Sequence, residues 1–366
     1  MKIKTYLFIF CALLMMAIMP VVNYFTNNTP KKEWKEWFNK AELYNFDFVL
    51  TQFSQRLYPF GISVAPNFVT VGRDSWLYLG DAHEQSITRQ RSGFAQANVS
   101  VAQIINSKAA VRAQWSKNKG VSEFIILLAP DKSTIYNDYL PKWAKPVPDT
   151  FADSVVQLSN GVYHDTREDL KAARKKYTEP LYFKTDTHWN NLGGWVAYRS
   201  LAHRMAQSQP ELQWFTENNI KKSIVKRDPG DLANFLRDTK NLADFQVVID
   251  IDKVSPQVVE HYLKEIPASV ENKNLAAVSV NKTEPLILIT SKTALNQKRV
   301  LWLHDSFGFA MEPFVYGTFS QVLQGPYLSM DEPRLENIIE KFKPDYVFIS
   351  VVERRLASDF FIKTRQ

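Results

Sequence analysis

The sequence predicts an α/β protein: a mixed or parallel sheet covered by helices, preceded by one N-terminal transmembrane helix. Three observations carry this. Short apolar runs alternate with stretches of helical periodicity through the main body. With 45% hydrophobic and 13% aromatic residues, the chain has apolar side chain enough for one large or two moderate domains, and disorder is not expected. Tyr6 to Phe25 is a run of twenty residues without charge, long enough to cross a bilayer as a helix.

The chain start sets the topology. Lys2 and Lys4 favour a cytoplasmic N-terminus, although Lys31, Lys32 and Lys35 on the far side dilute that preference. No small-x-small site follows the apolar run, so residues 1–28 read as an uncleaved anchor rather than a cleaved signal. The single cysteine, Cys11, lies in the anchor behind Ile9 and Phe10, without the small residues that precede a lipidated cysteine. The rest of the chain has no thiol for a disulfide, a nucleophile or a zinc ligand. Six histidines without His-x-x-x-His spacing point to no metal, and no phosphate-cradling loop points to no nucleotide cofactor. The formal charge of +7 is spread along the chain with no binding motif beside it, so nucleic acid is not an expected partner. Either a solvated surface near acidic lipid or attraction to an anionic polysaccharide accounts for the charge.

Residues 29–60 form a juxtamembrane segment. From Glu33 to Tyr58 aromatics and aliphatics (Trp34, Trp37, Phe38, Leu43, Phe46, Phe48, Leu50) interleave with charges, as in an amphipathic helix lying on the membrane or on the body. Pro59, Gly61 and Pro66 end it, and Phe68–Val71 with Trp76–Leu79 reads as a hairpin around the turn GRDS. Ser100 to Lys117 has helical spacing and Gly120 closes it before the apolar strand Phe124–Leu128. The loop APDKSTIYNDYLP follows that strand, where open α/β sheets bind ligands, so Lys132 and Tyr136 are expected to face a site. A strand at Gly161–His164, a charged helix at Arg167–Lys176 and a strand at Leu181–Phe183 come next. After Asn190 or Asn191 as cap, a helix presents Trp195, Tyr198, Ala202 and Met205 on one face. From about 211 to 297 the pattern changes to short strands, such as Phe245–Ile251 and Pro285–Ile289, and reads as an insertion in a body spanning 61–366. Beyond it lie the strand Val300–Leu303, a strand at Phe319–Leu323, a helix from Pro333 to Phe342 and a last strand at Tyr346–Val352.

Two short motifs carry chemistry. In LYFKTDTHWNNLGGW, Asp186 and His188 stand two residues apart just before a helix, the acid and base of a nucleophilic triad in which the carboxylate orients the ring. In KRVLWLHDSFGFA, Ser306 follows a buried strand where a helix opens, so its hydroxyl is exposed at the carboxyl edge of the sheet and the helix start favours negative charge. With no cysteine available, Ser306 is the expected nucleophile. His304, two residues from the serine, is the weaker base because His188 already has an acid partner. Trp189 serves either packing or stacking on sugar.

The pair DTHW and HDSF resembles the paired motifs of the alginate O-acetyltransferases of the AlgX/AlgJ type, bacterial enzymes with an SGNH-hydrolase-like, flavodoxin-like fold. The segments VTVGRDSWLYLGD and GDLANFL are similar to further elements of that family. The carboxyl third resembles the first half of an SGNH hydrolase and the Asp-His turn its end, which implies a circularly permuted motif order. Two departures stand out: Asp-x-His replaces the hydrolases' Asp-x-x-His, and Val352, Glu353 and Arg354 lie where an oxyanion-hole asparagine loop is expected, which makes Arg354 a candidate donor. The resemblance implies a membrane-anchored O-acetyltransferase at the inner membrane with its catalytic domain in the periplasm. It would act through an acetyl-serine on an exported polysaccharide, with a membrane-bound O-acyltransferase as acetyl supplier. A polysaccharide or peptidoglycan deacetylase with the same triad and a non-catalytic scaffold of a secretion complex are the alternatives. The resemblance assigns Ser306, His188 and Asp186 to catalysis, with Lys132, Tyr136, Trp189 and Arg354 as candidate substrate contacts.

Overall fold

A computed structural model describes residues 2–26, 43–91, 96–251, 258–263 and 286–363. Its strands are β1 (Val69–Val71), β2 (Leu77–Leu79), β3 (Glu123–Ala129), β4 (Tyr163–Asp165), β5 (Ile220–Arg227), β6 (Asp244–Ile251), β7 (Val258–Leu263), β8 (Leu286–Ser291), β9 (Asn296–His304), β10 (Phe319–Gly325) and β11 (Tyr346–Val352). Seven form one mixed sheet in the order β4-β3-β11-β9-β10-β8-β7. The pairs from β4 through β10 are parallel, and β8 and β7 continue the sheet antiparallel. All of β11 is buried, as is β3 apart from its first residue, which is why both read as unbroken apolar runs without alternation.

Helices cover both faces. Against one face pack Ala102, Ile105 and Ala109 of the helix Gln96–Asn118 and Ile338, Ile339 and Phe342 of the helix Glu332–Phe342, meeting Ile126, Leu128, Leu301, Leu303, Val347 and Ile349. Against the other pack Trp195, Tyr198 and Leu201 of the helix Asn191–Ala206, together with Leu170 and Phe314, meeting Leu127, Val300, Trp302 and Phe348. Local chemistry sets the helix starts: Asp331 accepts the Arg334 amide with Pro333 in the first turn, and Thr150 and Asp153 form a capping box.

Numbering the parallel strands from β9 makes β10 the second, β11 the third, β3 the fourth and β4 the fifth, so they lie 2-1-3-4-5 across the sheet, the flavodoxin-like order. The chain therefore enters this fold at its fourth strand and completes it with the first three, which is the permutation the motif order implied. The serine-bearing β9 stands beside the switch point between first and third strands, and the Asp-His turn follows the fifth strand and its helix.

The helix Lys2–Thr26 contains Ile3–Phe25, 23 residues of mean hydropathy 2.4 with none of the window buried, and fits a membrane anchor. The helix Asp47–Leu57 ends in a 3-10 turn at Tyr58–Phe60, and its Ser54 hydroxyl donates to Leu236 O at 2.5 Å, docking it on the body while Phe48 and Phe53 stay exposed. The expected amphipathic stretch before it, with Trp34, Trp37 and Phe38, lies outside the described residues.

One expectation is corrected. Leu181–Phe183 is not a strand: only an isolated bridge joins Tyr182 to Trp189, because this backbone folds back on the Asp-His turn itself. Within the stretch 211–297, β8 and β7 extend the main sheet beyond the five parallel strands, and β5 and β6 form a separate two-stranded ribbon.

Candidate active site

Ser306 sits at the carboxyl end of β9, exposed, as the first residue of a 3-10 turn through Met311. Asp305 caps that turn. Its Oδ1 accepts the Phe307 amide at 3.0 Å and its Oδ2 the Val352 amide at 2.9 Å, tying the end of β9 to the end of β11 and fixing the serine's backbone. The Ser306 amide has no acceptor among the described residues.

The partner turn faces it from below the helix Asn191–Ala206. Asn190 caps this helix by accepting the Leu192 amide at 2.9 Å and the Gly193 amide at 3.2 Å. A Cβ at Gly194 would overlap the Ala310 backbone, so glycine is what lets the helix approach the post-serine segment. Trp189 clasps the two motifs: it is buried, and its indole N–H donates to Phe307 O at 2.8 Å. Across this clasp His188 Nε2 lies 2.7 Å from Ser306 Oγ, and His188 Nδ1 lies 2.7 Å from Asp186 Oδ1. Asp186 Oδ1 also accepts the His188 amide at 3.1 Å, and Arg227 of β5 reaches Oδ2 at 3.3 Å. Burial pushes the Asp186 carboxyl up, but the His188 hydrogen bonds and charge, with Arg227, outweigh it and hold the group at about 2.

Further residues hold the turn from beneath. Lys132 is buried, and its Nζ donates to the carbonyls of Phe183 (3.0 Å), Lys184 (3.1 Å) and Asp186 (2.7 Å). Burial pulls its ammonium down to about 7 against the attraction of Asp244, Asp186 and Asp231. Asp244 Oδ2 accepts both the amide (2.8 Å) and the hydroxyl (2.6 Å) of Thr185, and Asp231 Oδ1 accepts the Thr187 amide at 2.7 Å. Gly230 lies flat against Asp186, where a Cβ would overlap the carboxylate. GDLANFL, which carried no role in the sequence, thus forms the floor under the acid. Sequence reading missed Gly230, Asp231, Asp244 and Arg227; the one signal was the GDL resemblance.

The structure brings Asp186, His188 and Ser306 together and places the other expected contacts elsewhere. Lys132 turns inward onto backbone carbonyls instead of facing the site opening. Tyr136 is also buried, stacked on Trp76, with its hydroxyl accepting the Leu181 amide at 2.9 Å. Trp189 is committed to packing and to Phe307 O. Arg354 is buried: its side chain is 8% exposed, pairs with Asp131 and lies 5.5 Å from the centre of the Phe307 ring. Beside it burial pushes the Glu353 carboxyl up to about 8, with Asp131 adding to the rise and Arg167 opposing it. His304 is buried with Nδ1 on Asp305 O at 2.8 Å, directed away from a role as base. Asp186, His188 and Asp231 offer ligand atoms within 4.8 Å of one another, but each is already engaged in the turn's own hydrogen bonds.

Comparison with known proteins bears on the family and the fold. The family model described as an SGNH hydrolase-like domain of the acetyltransferase AlgX matches residues 69–268, a range that includes Lys132, Asp186, His188 and Gly230 and ends before Ser306. A curated relative from Pseudomonas syringae pv. tomato, a probable alginate O-acetylase AlgJ, is 26% identical over 175 residues, 46% of this chain and 41% of that protein. The chain thus aligns with less than half the length of that relative. Among solved structures, Bacillus cereus PatB1 with a sulfonyl adduct superposes with TM-score 0.57 at 17% identity, covering 81% of this chain and 100% of that one. A DHHW family protein from Eubacterium siraeum gives TM-score 0.56 at 17% identity over 82% and 96% of the two chains. At such identity these structures bear on the fold alone.

Proposed function

From the premise that the chain belongs to the AlgX-type family of SGNH hydrolase-like acetyltransferases, we propose that it moves an acetyl group through a Ser306 acyl-enzyme onto hydroxyls of an exported polysaccharide. The observation that carries the mechanism is the pair of 2.7 Å contacts running from Ser306 Oγ through the His188 ring to Asp186. His188 Nε2 takes the hydroxyl proton as Oγ attacks the acetyl carbonyl, and Asp186, ionised at neutral pH, keeps Nδ1 as the donor and balances the charged ring. The unpaired Ser306 amide donates to the developing oxyanion. Collapse expels the donor's leaving oxygen, which takes the proton from His188, and leaves acetyl-Ser306. A sugar hydroxyl then gives its proton to His188 and attacks the ester, and return of the proton to Oγ frees the acetylated sugar and the serine.

The N-terminal helix supports an inner-membrane anchor with the catalytic body in the periplasm. There a membrane-bound O-acyltransferase is the proposed source of acetyl groups. The test uses the full chain in detergent with p-nitrophenyl acetate. Intact-mass analysis of a quenched reaction should find one acetyl on Ser306, and added polysaccharide should collect it as an ester. An unacetylated Ser306 under turnover would overturn the mechanism. Acetate release unaffected by every acceptor would favour a deacetylase instead.

A further inference from the structure

We infer that Lys132 is the positioning residue of the triad, acting through the Asp186–His188 turn and touching neither acetyl group nor acceptor. The inference rests on the catalytic reading of Ser306, His188 and Asp186. Three observations point to it. First, the three ammonium protons are matched to three carbonyls of one irregular turn, those of Phe183, Lys184 and Asp186. Lys184 O also accepts the Leu77 amide, but Phe183 O and Asp186 O accept from Lys132 alone among the described residues. Second, the turn has no regular ladder to hold it. Asp186 O is the carbonyl of the residue that orients His188, so the Lys132 contact at 2.7 Å fixes the backbone from which the carboxylate projects. Third, the ammonium lies among the Asp186, Asp231 and Asp244 carboxylates beneath the turn, where Arg227 on Asp186 Oδ2 is a second neighbouring cation. The Trp76 and Tyr78 rings, 5.8 and 5.5 Å from Nζ, complete its surroundings, with Lys184 on the Trp76 ring as well.

The same geometry makes catalysis sensitive to the charge on Lys132. Loss of its third proton leaves one carbonyl without a donor and takes a positive charge from beside the three carboxylates, of which Asp186 keeps Arg227, and burial places that loss close to neutrality, at about 7. Activity should therefore fall on the alkaline side. The buried Glu353 titrates in a neighbouring range, so its variant separates the two groups.

The experiment measures p-nitrophenyl acetate turnover by the full chain and Ser306 sulfonylation by phenylmethylsulfonyl fluoride, from pH 5 to 9. Lys132→Met should lower kcat by about 10²-fold, the cost of an ~1 Å misplacement at a reacting group, with KM within about twofold. Lys132→Gln, which keeps two donors, should fall between Met and wild type. The alkaline decline should be absent in Lys132→Met and retained in Glu353→Gln. If Ser306→Ala keeps its activity, the catalytic reading itself fails. If Ser306→Ala is inactive yet Lys132→Met works within about threefold of wild type, this inference alone is overturned. Should Lys132→Met lose its cooperative unfolding transition, Lys132→Gln decides: a kcat and alkaline limb identical to wild type overturns the inference, and a reduced kcat with the limb absent, since the carboxamide does not titrate, sustains it.

Discussion

Gly230→Ala adds one methyl group directly against the acid of the triad. The new Cβ would overlap Asp186 Cβ, Cγ and Oδ2. An ordinary carbon contact needs ~3.5–4.0 Å, so Asp186 or the Gly230 backbone must retreat by about 1 Å. Neither has an easy direction. Gly230 N donates to Thr185 Oγ1 at 3.0 Å and the Leu232 and Ala233 amides to Thr185 O at 3.1 and 3.2 Å, while Asp186 is held at its carboxylate by the His188 amide and ring and at its carbonyl by Lys132. Such overpacking costs ~1–3 kcal/mol of stability. In the proposed mechanism Asp186 orients His188 without contacting the acyl group, so an ~1 Å shift should cost about 10²-fold in kcat with little change in KM. The assay is p-nitrophenyl acetate turnover by the full chain beside urea unfolding of the same sample. A Gly230→Ala protein with wild-type kcat would refute the claim that this residue sets the position of the carboxylate.

Other expectations follow from the same geometry. Ser306→Ala and His188→Ala should each lower turnover by about 10⁴–10⁶, and the double variant should lose little more, with Asp186→Ala costing less; quenched-flow acetate release checks this. Asp186 is held at about 2 from an ordinary 3.8, so its folded-state pKa is depressed and its contribution is present above the unfolded value and lost as pH falls through the folded one. The stability gap between wild type and Asp186→Asn should therefore close by ~2 kcal/mol between about pH 4 and pH 2, measured by denaturant unfolding. Glu353 is raised to about 8 from 4.5, the opposite sign: the folded protein keeps a proton that the unfolded chain releases, so stability is lost as pH rises between those values. Glu353→Gln should flatten that decline in a thermal-unfolding pH series. Deleting residues 1–28 should move the protein from alkali-extracted membranes to the soluble fraction while leaving turnover of the small ester intact.

The parts legible in the sequence are those whose signal is local. Ser306 and the Asp186–His188 pair announce themselves because each stands within a few residues of an apolar run or a helix cap, and the fully buried β11 reads directly as a continuous apolar strand. What stayed hidden depends on partners distant in sequence. Lys132 sits at the end of a strand, as expected, but the acceptors that turn it inward are about fifty residues away in a turn with no periodicity. Asp231 and Asp244 look like any exposed acid until Thr187 and Thr185 are placed against them. Arg227 lies in a strand whose other residues are mostly exposed, so nothing in IKKSIVKR marks the one side chain that reaches the triad. The strand at Pro285–Ile289 was legible as β8, but its antiparallel pairing with β10 and β7 was not, since pairing across a sheet has no signature within the strand.

The strand order explains why so much of the holding structure is polar. In the flavodoxin-like order, the Asp-His turn lies beyond the fifth strand, at one side of the sheet, while Ser306 tops the first strand near the switch point. The turn must therefore reach across the carboxyl ends of the parallel strands, and backbone crossing there has no neighbouring strand to satisfy it. Its polar groups are met one at a time, by side chains rather than a ladder: carbonyls by Lys132, amides by Asp244 and Asp231, the Thr185 hydroxyl by Asp244, and the start of the next helix by Asn190, with the buried Thr187 hydroxyl left unpaired among the described residues. The Trp189 indole then closes the span by bonding Phe307, the residue after Ser306. A hydrophobic clamp would hold the turn to the body without fixing its rotation, because apolar contact is non-directional. Hydrogen bonds of defined direction fix both, and the 2.7 Å approach of His188 to Ser306 requires both.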